Sequence, residues 1–372
     1  MSQRENVNPR REQDHRKNSR RYQKRAAARR RRNTIFIVEI VLLLILAVVL
    51  FFVSKLSKIE KTKLDMDKIE VNEDISQESQ KIMKGYQTIA MFGLDNRSNG
   101  NLSQGRSDVI MLANINNDTK EVKLVSVYRD TYLDTGDGIF QKCNAAYAKG
   151  GPEQAISMLN VNLDLNITDY VTVDFNSIIE CVDLLGGVDM EITDDEASLM
   201  TGYIRELNEL TGNKAENLTQ GGTYTLNGVQ ACAYARIRYG GGDDYRRTER
   251  QRTVLTAMVK KAQQSDLTTV NKLINEVCGD IQTSFSNAEL LALASQVFQY
   301  SIGDTTGFPF TKTTKVLSKK TGDVVIPCDL SDNVKELHIF LYEDSAYTVS
   351  DTVKQNSEKI VSDTGFKSGD GH

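Results

Sequence analysis

The feature that most constrains this chain is an uninterrupted apolar run at residues 34–53, TIFIVEIVLLLILAVVLFFV, in which Glu39 is the only charged residue. A helix of this length extends about 30 Å, the thickness of the hydrocarbon core of a bilayer. A helix buried in a protein core rarely lacks a polar face over so many turns. The run is also too long for the apolar region of a cleaved signal peptide, and no small-residue cleavage site follows it. The sequence therefore predicts one transmembrane helix.

The charges that flank this run predict its orientation. Residues 1–33 hold 13 Lys and Arg against three acidic residues, whereas the whole chain has 46 basic and 50 acidic residues. Under the positive-inside rule, this basic tail lies in the cytoplasm and the residues after 53 lie outside it. Beside a membrane, the nearest anionic partner for the tail is the lipid headgroup, so no nucleic-acid binding is expected. The protein is thus expected in the cell membrane, with a single span and an extracytoplasmic C-terminal part.

The part after the span has the patterning of one globular domain. Residues 54–86 are charged, with scattered aliphatic residues, and are interpreted as a stalk. Residues 87–345 alternate between strand-like and helix-like segments, including a hairpin predicted from strands at 109–115 and 121–127. This alternation indicates an α/β domain with helices on both faces of a central sheet. Residues 346–372 are expected to form a C-terminal helix and a flexible tail.

The histidines and cysteines exclude several classes of enzyme. The part after the span contains only His338 and the terminal His372 and has no GxSxG motif, so a Ser-His-Asp or Cys-His hydrolase is not expected. The five cysteines include no CxxC pair, which argues against a zinc or redox motif. Cys181 and Cys232 lie in apolar strings and are expected to be buried as small hydrophobic residues. Chemistry in this chain is therefore expected to depend on carboxylates, arginines and a metal ion.

Four polar segments interrupt the apolar elements where strands are predicted to end or turn. They are residues 93–98 (GLDNRS), 105–108 (GRSD), 126–130 (SVYRD) and 236–252. The first two contain Asp95 and Asp108. Two carboxylates beside an arginine cluster would suit a Mg²⁺ ion that bridges phosphate oxygens. Each aspartate alone is also a common turn or capping residue.

The fourth segment is a dense arginine cluster. It contains no lysine and six arginines, at positions 236, 238, 246, 247, 250 and 252. The planar guanidinium binds phosphate through two parallel hydrogen bonds, whereas lysine offers only a point charge. The choice of arginine therefore indicates an anion site, although a surface salt-bridge network with Asp243, Asp244 and Glu249 fits the composition equally well.

Spacing sharpens this expectation. A helix capped by Asp243 or Asp244 would place Arg247, Arg250 and Gln251 on one face. Arg236 and Arg238 are expected two positions apart on a strand, where both would point to the same side of the sheet. Two such arrays, if they converge, would hold an anion that carries more than one charge.

With these motifs in hand, the chain resembles the LytR-CpsA-Psr family of bacterial membrane-anchored phosphotransferases. The matching segments are GLDNRS at 93–98, RSDVIML at 106–112, SVYRDTYL at 126–133, KCNAAYAKGGPEQA at 142–155, YVTVDFNSIIECVDLLGGVDMEI at 170–192, GTYTLNGVQACAYARIR at 222–238 and DYRRTERQ at 244–251. They occur in the family's order over residues 90–255. The resemblance implies a single family-type domain with a central mixed sheet flanked by helices and preceded by one transmembrane helix.

The resemblance also implies an activity and its residues. A glycopolymer would pass from a polyprenyl-pyrophosphate carrier to peptidoglycan, forming a phosphodiester and releasing polyprenyl phosphate. The positions that match the family's magnesium ligands are Asp95 and Asp108. The catalytic positions are Arg129, Asp130, Arg236, Arg238 and Arg247, and the substrate-binding positions are Arg97, Arg106, Arg250 and Gln251. Asp130 is interpreted as orienting Arg129 rather than as a base, and a hydrophobic tunnel would take the lipid.

Two positions depart from the family pattern, and two other functions stay open. Tyr128 stands where the family usually has proline, and Arg246 stands where glycine is common; neither change removes a ligand. A non-catalytic regulatory or wall-binding membrane protein is one alternative, although all the ligand positions are kept. A pyrophosphatase that uses water as acceptor at the same site is the other. The sequence does not distinguish transfer from hydrolysis and does not name the glycopolymer.

Overall fold

The computed structural model describes residues 60–61, 64–94, 102, 105–238, 243–266, 269, 272–273 and 281–371. The basic tail and the predicted transmembrane segment at 34–53 lie outside these residues, as do Asp95, Arg97 and Cys278. Within the described ranges, no helix combines the length and the apolar character needed to cross a bilayer.

The described residues form thirteen strands. In chain order they are β1 (Glu60–Lys61), β2 (Tyr86–Leu94), β3 (Ser107–Asn116), β4 (Glu121–Val127), β5 (Tyr132–Asp134), β6 (Phe140–Lys142), β7 (Asp169–Asp174), β8 (Val188–Ile192), β9 (Gly222–Leu226), β10 (Ile281–Thr283), β11 (Ser301–Phe308), β12 (Lys312–Ser318) and β13 (Gly322–Pro327). The pairs β5–β6, β8–β9 and β12–β13 form small two-stranded sheets. The other seven strands form the central sheet.

The helices are α1 (Gln77–Met83), α2 (Ala145–Leu163), α3 (Phe175–Leu184), α4 (Asp194–Thr211), α5 (Gly228–Arg236), α6 (Asp243–Gln264), α7 (Asn287–Ser295), α8 (Leu330–Tyr342) and α9 (Asp351–Thr364). Helix α2 is interrupted by non-helical backbone at Gly150 and Gly151, and Pro152 follows directly. Proline is favoured in the first turn of a helix, so the second part of α2 begins where the sequence predicts a helix.

The central sheet is mixed, with strand order β1-β10-β7-β2-β3-β4-β11. Strands β2 and β7 are parallel, β4 and β11 are parallel, and β3 is antiparallel to both of its neighbours, which confirms the predicted β3–β4 hairpin. Strands β2, β4, β7 and β11 therefore point the same way. Their carboxyl ends lie at one edge of the sheet, together with the start of β3.

Helices cover both faces of this sheet, as the sequence predicts. Alternate residues of β2 face opposite sides: Ala90, Phe92 and Leu94 join one core cluster, and Ile89 joins another. The first and larger cluster includes side chains from α2, α8 and α9. The second is covered by α6 and α7, through partly buried leucines such as Leu255 and Leu290. Residues 56–372 form one compact unit.

Helices α3 to α6 and the two-stranded β8–β9 sheet enclose a separate cluster beside the central sheet, in which Val182, Val188 and Met200 are fully buried. Cys232, at 1% exposure, belongs to this cluster, and Cys181 packs against it partly buried. Helix α4 begins with a capping box formed by Thr193 and Glu196, and it ends at Gly212 in the left-handed conformation. The sequence interpretation missed this helix, although both end signals are present.

The prediction that Arg236 and Arg238 share a strand is wrong, because residues 228–236 form α5 and Ile237 caps its end. Asn227 starts this helix with a capping box to Gln230. A short apolar run such as residues 231–235 is compatible with a buried strand or a buried helix, and here the capping residue decides.

Both ends of the predicted domain contact the main core. In the predicted stalk, Ile69, Ile75 and Met83 are buried in this core, whereas Val71 and Ile82 are exposed. After residue 346, the predicted C-terminal helix is present as α9, and Phe366 beyond it packs partly buried against the same cluster.

Candidate active site

The site lies at the edge of the sheet where four strands end. Ser107, at the start of β3, pairs with Leu94, at the end of β2, at this edge. Strand β4 ends at Val127 and delivers Arg129 and Asp130 to the same edge. Ligand sites in α/β sheets commonly occupy this position, beyond the carboxyl ends of parallel strands.

Arg129 is the centre of a charge network. Its Nη1 lies 2.5 Å from Oδ1 of Asp108, and its Nε lies 3.9 Å from Oδ2 of Asp130. Lys142 contacts the other oxygen of Asp130 at 3.2 Å. Burial alone would lower the pKa of Arg129, but the carboxylates of Asp108, Asp130 and Asp244 outweigh it and raise that pKa. Arg129 therefore keeps its positive charge. Asp130 lies between two cations, an arrangement that suits the orienting role expected from the sequence.

The start of α6 supplies the second part of the network. The carboxylate of Asp244 lies 3.4 Å from Nη2 of Arg238 and 3.5 Å from Nη2 of Arg247. Nη2 of Arg247 also donates to the backbone carbonyl of Asp108 at 3.3 Å, which joins α6 to β3. Burial works to raise the pKa of Asp244, yet Arg247, Arg129 and Arg238 lower it, so this aspartate is an anion among three cations.

Arg236 and Arg250 lie outside this network. Arg236 pairs with Glu206 of α4 at 3.2 Å, and its guanidinium stacks 5.1 Å over Phe175. Arg250 donates to Glu196 of α4 at 2.9 Å. Among the described residues, these two arginines therefore join α4 to α5 and α6. Arg106, by contrast, is exposed at the start of β3.

An apolar cavity of about 270 Å³ lies beneath the network, between the sheet and helices α3, α5 and α6. Its walls are Met91, Phe92, Gly93, Leu94, Val109, Met111, Val171, Val173, Asp174, Phe175, Ile178, Cys232, Ala235, Gln251, Val254, Leu255 and Met258. Almost all of these side chains are apolar, as a lipid tail requires. Gln251 lies one turn after Arg247 on α6, so one helix borders both the cavity and the charge network.

Several buried polar atoms of the site have no hydrogen-bond partner among the described residues. They are Nε of Arg129, Nε of Arg247 and Oε1 of Gln251. Unpaired polar atoms are uncommon in protein interiors because their desolvation is not compensated. Three of them around one cavity mouth indicate a place where a polar ligand completes the contacts.

Of the two predicted magnesium ligands, the structure describes Asp108. Its Oδ1 contacts Arg129, and no described residue contacts its second carboxylate oxygen. One or two carboxylates with substrate phosphates and waters commonly suffice for Mg²⁺, so the carboxylate of Asp108 is a ligand of the type that this ion takes. Within the described ranges, no group of three or more His, Cys, Asp or Glu side chains could hold a metal ion.

The sequence interpretation missed the residues that support the arginines. Lys142 lies in the matched segment 142–155 but has no distinctive spacing. Lys312 of β12 lies 5.3 Å from the ring centre of Tyr128 and 4.7 Å from that of Tyr245. The two rings form a T-shaped pair at 4.6 Å beside Arg129 and Asp244. No local pattern in the sequence would bring β4, α6 and β12 together.

Tyr128 also explains how the chain accommodates its departure from proline. Its backbone N–H donates to the carbonyl of Phe308 at 2.9 Å, a bond that proline lacks the hydrogen to make. A Cβ at Gly307 would lie 2.1 Å from the Tyr128 hydroxyl, so only glycine leaves room for this ring. The loop before Arg129 is thus fixed to β11.

The family model for LytR-CpsA-Psr proteins matches residues 46–315. The chain is 30% identical over 210 residues to the polyisoprenyl-teichoic acid–peptidoglycan teichoic acid transferase TagU of Enterococcus faecalis, an alignment that covers 56% of this chain and 64% of the relative. It therefore spans slightly less than two thirds of that protein's length.

Two solved structures share the fold. TagV of Bacillus subtilis is 24% identical with a TM-score of 0.55, and the match covers 72% of this chain and 99% of that one. TagT with bound octaprenyl pyrophosphate lipid is 18% identical with a TM-score of 0.51, and the match covers 82% of this chain and 99% of that one. Because the family model matches most of the chain, in the order that the motifs predict, the chain belongs to the LytR-CpsA-Psr family.

Proposed function

We propose that this protein transfers a glycopolymer from a polyprenyl-pyrophosphate carrier to peptidoglycan. The observation that carries this proposal is the apolar cavity beside a network of arginines, since a lipid pyrophosphate has one apolar part and one multiply charged part. The TagU relative is named for such a transfer, and a TagT structure of the same fold holds octaprenyl pyrophosphate. The polyprenyl chain would occupy the cavity and the pyrophosphate would lie against Arg129, Arg238 and Arg247.

In the proposed reaction, a hydroxyl oxygen of peptidoglycan attacks the phosphorus that carries the polymer. A new P–O bond to the acceptor forms while the bridging P–O bond breaks, and polyprenyl phosphate leaves with the bridging oxygen. The proton of the hydroxyl is lost to solvent or to a phosphate oxygen. Negative charge grows on the leaving phosphate, and fixed cations such as Arg129 and Arg247 stabilise that charge.

Asp108 and Asp95 would hold a Mg²⁺ ion at the phosphates. When bound, this ion neutralises phosphate charge and polarises the P–O bonds. Asp130 keeps Arg129 oriented, because its carboxylate lies between Arg129 and Lys142. Both oxygens of this carboxylate are engaged by cations, which favours the orienting role over that of a general base.

We also propose that residues 34–53 anchor the protein in the cell membrane, with the basic tail in the cytoplasm. Polyprenyl carriers are membrane lipids, so an enzyme that acts on them benefits from a fixed position at the bilayer surface. The proposed span and the apolar cavity thus serve the same substrate.

The experiment that tests the proposal also separates the alternatives. The purified full chain is incubated with a polyprenyl-pyrophosphate glycan, with and without peptidoglycan fragments, and the products are identified by mass spectrometry. A transferase forms a phosphodiester-linked product only when the acceptor is present. A pyrophosphatase releases glycan phosphate in either case, and a regulatory protein leaves the carrier intact.

A further inference from the structure

A polar cleft lies on the side of α6 that faces away from the apolar cavity. It has a volume of about 710 Å³, within the range of ligand sites, and shares no lining residue with the cavity. Its walls are Asp189, Met190 and Glu191 of β8, Arg252, Thr253, Thr256, Ala257, Lys260, Lys261 and Gln264 of α6, and Ile302, Gly303 and Thr305 of β11. The α6 residues recur every three or four positions, so they form one face of the helix.

Arg252 brings to this cleft a buried positive charge that forms no salt bridge with any described residue. The residue is 8% exposed, and neither its Nε nor its Nη1 has a hydrogen-bond partner among the described residues. Arg250, two positions earlier, is equally buried but donates to Glu196 at 2.9 Å. Burying an unpaired cation is costly, and a bound anion near it would offset that cost.

The other groups of the cleft suit a sugar phosphate. Lys260 is exposed, and Nζ of Lys261 forms a salt bridge with Oδ2 of Asp189 at 3.6 Å. Three cations therefore face two carboxylates, while Thr253, Thr256 and Thr305 add hydroxyls. Carboxylates and hydroxyls bind sugar hydroxyls, and the cations bind phosphate.

Strand β11 adds backbone groups to the cleft. It is an edge of the central sheet, and its pairing with β4 shifts register between Ile302 and Thr305. The outer backbone groups of an edge strand have no partner in the sheet, so they can bind hydroxyls of a ligand. From Arg252 to Gln264, α6 rises about 18 Å, which is long enough for several repeats of a polymer.

We infer that this cleft binds a phosphate-bearing segment of the glycopolymer, distant from the pyrophosphate and outside the lipid cavity. The inference rests on the proposed function for the identity of the polymer, but binding itself does not depend on turnover. Arg252 and Gln251 are neighbours on α6, so the cleft begins next to the residues that border the cavity. The polymer would thereby be held against the same helix that carries Arg247.

Binding is measured by calorimetry on the full chain in detergent, with a water-soluble glycerol phosphate oligomer as the probe. Lys260→Glu reverses an exposed charge in the cleft, and Lys320→Glu makes the same change at an exposed turn between β12 and β13. Arg252→Gln is a second cleft variant, and thermal melting checks its fold. We expect Lys260→Glu and Arg252→Gln to weaken binding by about tenfold or more, and Lys320→Glu to leave it unchanged.

A transfer assay separates this inference from the proposed function. Two donors are compared, one that carries only the first sugars on the lipid pyrophosphate and one that also carries glycerol phosphate repeats. Lys260→Glu is expected to raise KM for the long donor and to leave the short donor unaffected. If the wild type transfers neither donor, the proposed function is overturned. The calorimetry still tests whether the cleft binds the oligomer.

Three results would overturn the inference. The first is the absence of any oligomer binding to the wild type, and the second is equal binding by all three variants. The third is binding of phosphate-free peptidoglycan strands that Lys260→Glu weakens while oligomer binding stays intact. That third result would assign the cleft to the acceptor instead.

Discussion

At the scale of single residues, the arginines of the cluster separate by their partners. Arg247 is 4% exposed, and it contacts Asp244 and the backbone of Asp108 beside the cavity. Arg250 is nearly as buried but pairs with Glu196 of α4. Arg246, directly before Arg247, is exposed. Spacing alone predicts a shared face for Arg247 and Arg250, and it does not reveal that α4 supplies a carboxylate to only one of them.

These partners lead to a test of the arginine network. Lysine keeps the charge but not the two-pronged geometry, so Arg129→Lys and Arg247→Lys are expected to lower the transfer rate by about 10²–10³. Arg246→Lys is the matched control on the same helix and should change the rate little. Rates are measured by product formation, with thermal melting on the same samples. Equal, small effects of all three substitutions would show that the network is structural.

His338 gives a prediction about pH and stability. Its ring stacks on Tyr347 with centres 3.6 Å apart, its Nε2 lies 3.0 Å from the carbonyl oxygen of Leu163, and burial lowers its pKa from 6.5 to about 4. The folded state therefore disfavours the protonated ring. The contribution of the neutral ring to the free energy of unfolding is complete above pH 6.5 and is lost as the pH falls toward 4. The loss amounts to about 3 kcal/mol.

The measurement is the free energy of unfolding by denaturant between pH 4 and 8, for the wild type and His338→Phe. The variant is expected to be less stable at pH 8, because the Leu163 carbonyl loses its partner, but to show a smaller decline on acidification. Subtracting the curve of the variant from that of the wild type removes the contribution of the carboxylates to the pH dependence, because both proteins share those carboxylates. An identical decline in both proteins would contradict the predicted pKa of His338.

At the scale of elements, α6 forms one wall of the apolar cavity and α5 forms another. Ala235 of α5 lines the cavity, and its small side chain leaves space there. Ala235→Trp is expected to fill this space and to abolish retention of polyprenyl phosphate by the purified protein. Ala148→Trp, at an exposed position of α2, should retain the lipid. Extraction and mass spectrometry of the lipid measure the outcome, and equal retention by both variants would place the lipid elsewhere.

The same scale shows what the sequence predicts well. The hairpin of β3 and β4 follows from the two apolar strands that flank the polar turn at 116–118, and α3 ends at Leu184, just before Gly186 and Gly187. Local signals suffice for these elements. The assignment of Arg236 and Arg238 to a strand failed because a short apolar run does not reveal its period. The packing of Lys312 on the rings of Tyr128 and Tyr245 depends on tertiary structure, which no local signal encodes.

At the scale of the whole molecule, the catalytic proposal requires the domain to lie where lipid-linked glycans and peptidoglycan meet. A reporter fused after His372 tests this requirement. A reporter enzyme that works only outside the cytoplasm should be active in this fusion, and a reporter that works only inside should be inactive. The same two reporters fused to a known cytoplasmic protein provide the control. Activity of the cytoplasmic reporter would overturn both the topology and the access to peptidoglycan.

Helix α6 lies between the apolar cavity and the polar cleft. The rotation of the helix about its own axis therefore decides which residues face the cavity and which face the cleft. Each residue advances an α-helix by about 100°, so deletion of a single residue between Arg247 and Gln251 would bring Arg252 to the place of Gln251 at the cavity wall and turn Val254 toward the cleft. An arginine would then face the lipid, and an apolar residue would face the cleft. Divergent copies of this domain can therefore be expected to change the length of almost any surface loop more readily than the length of this helix.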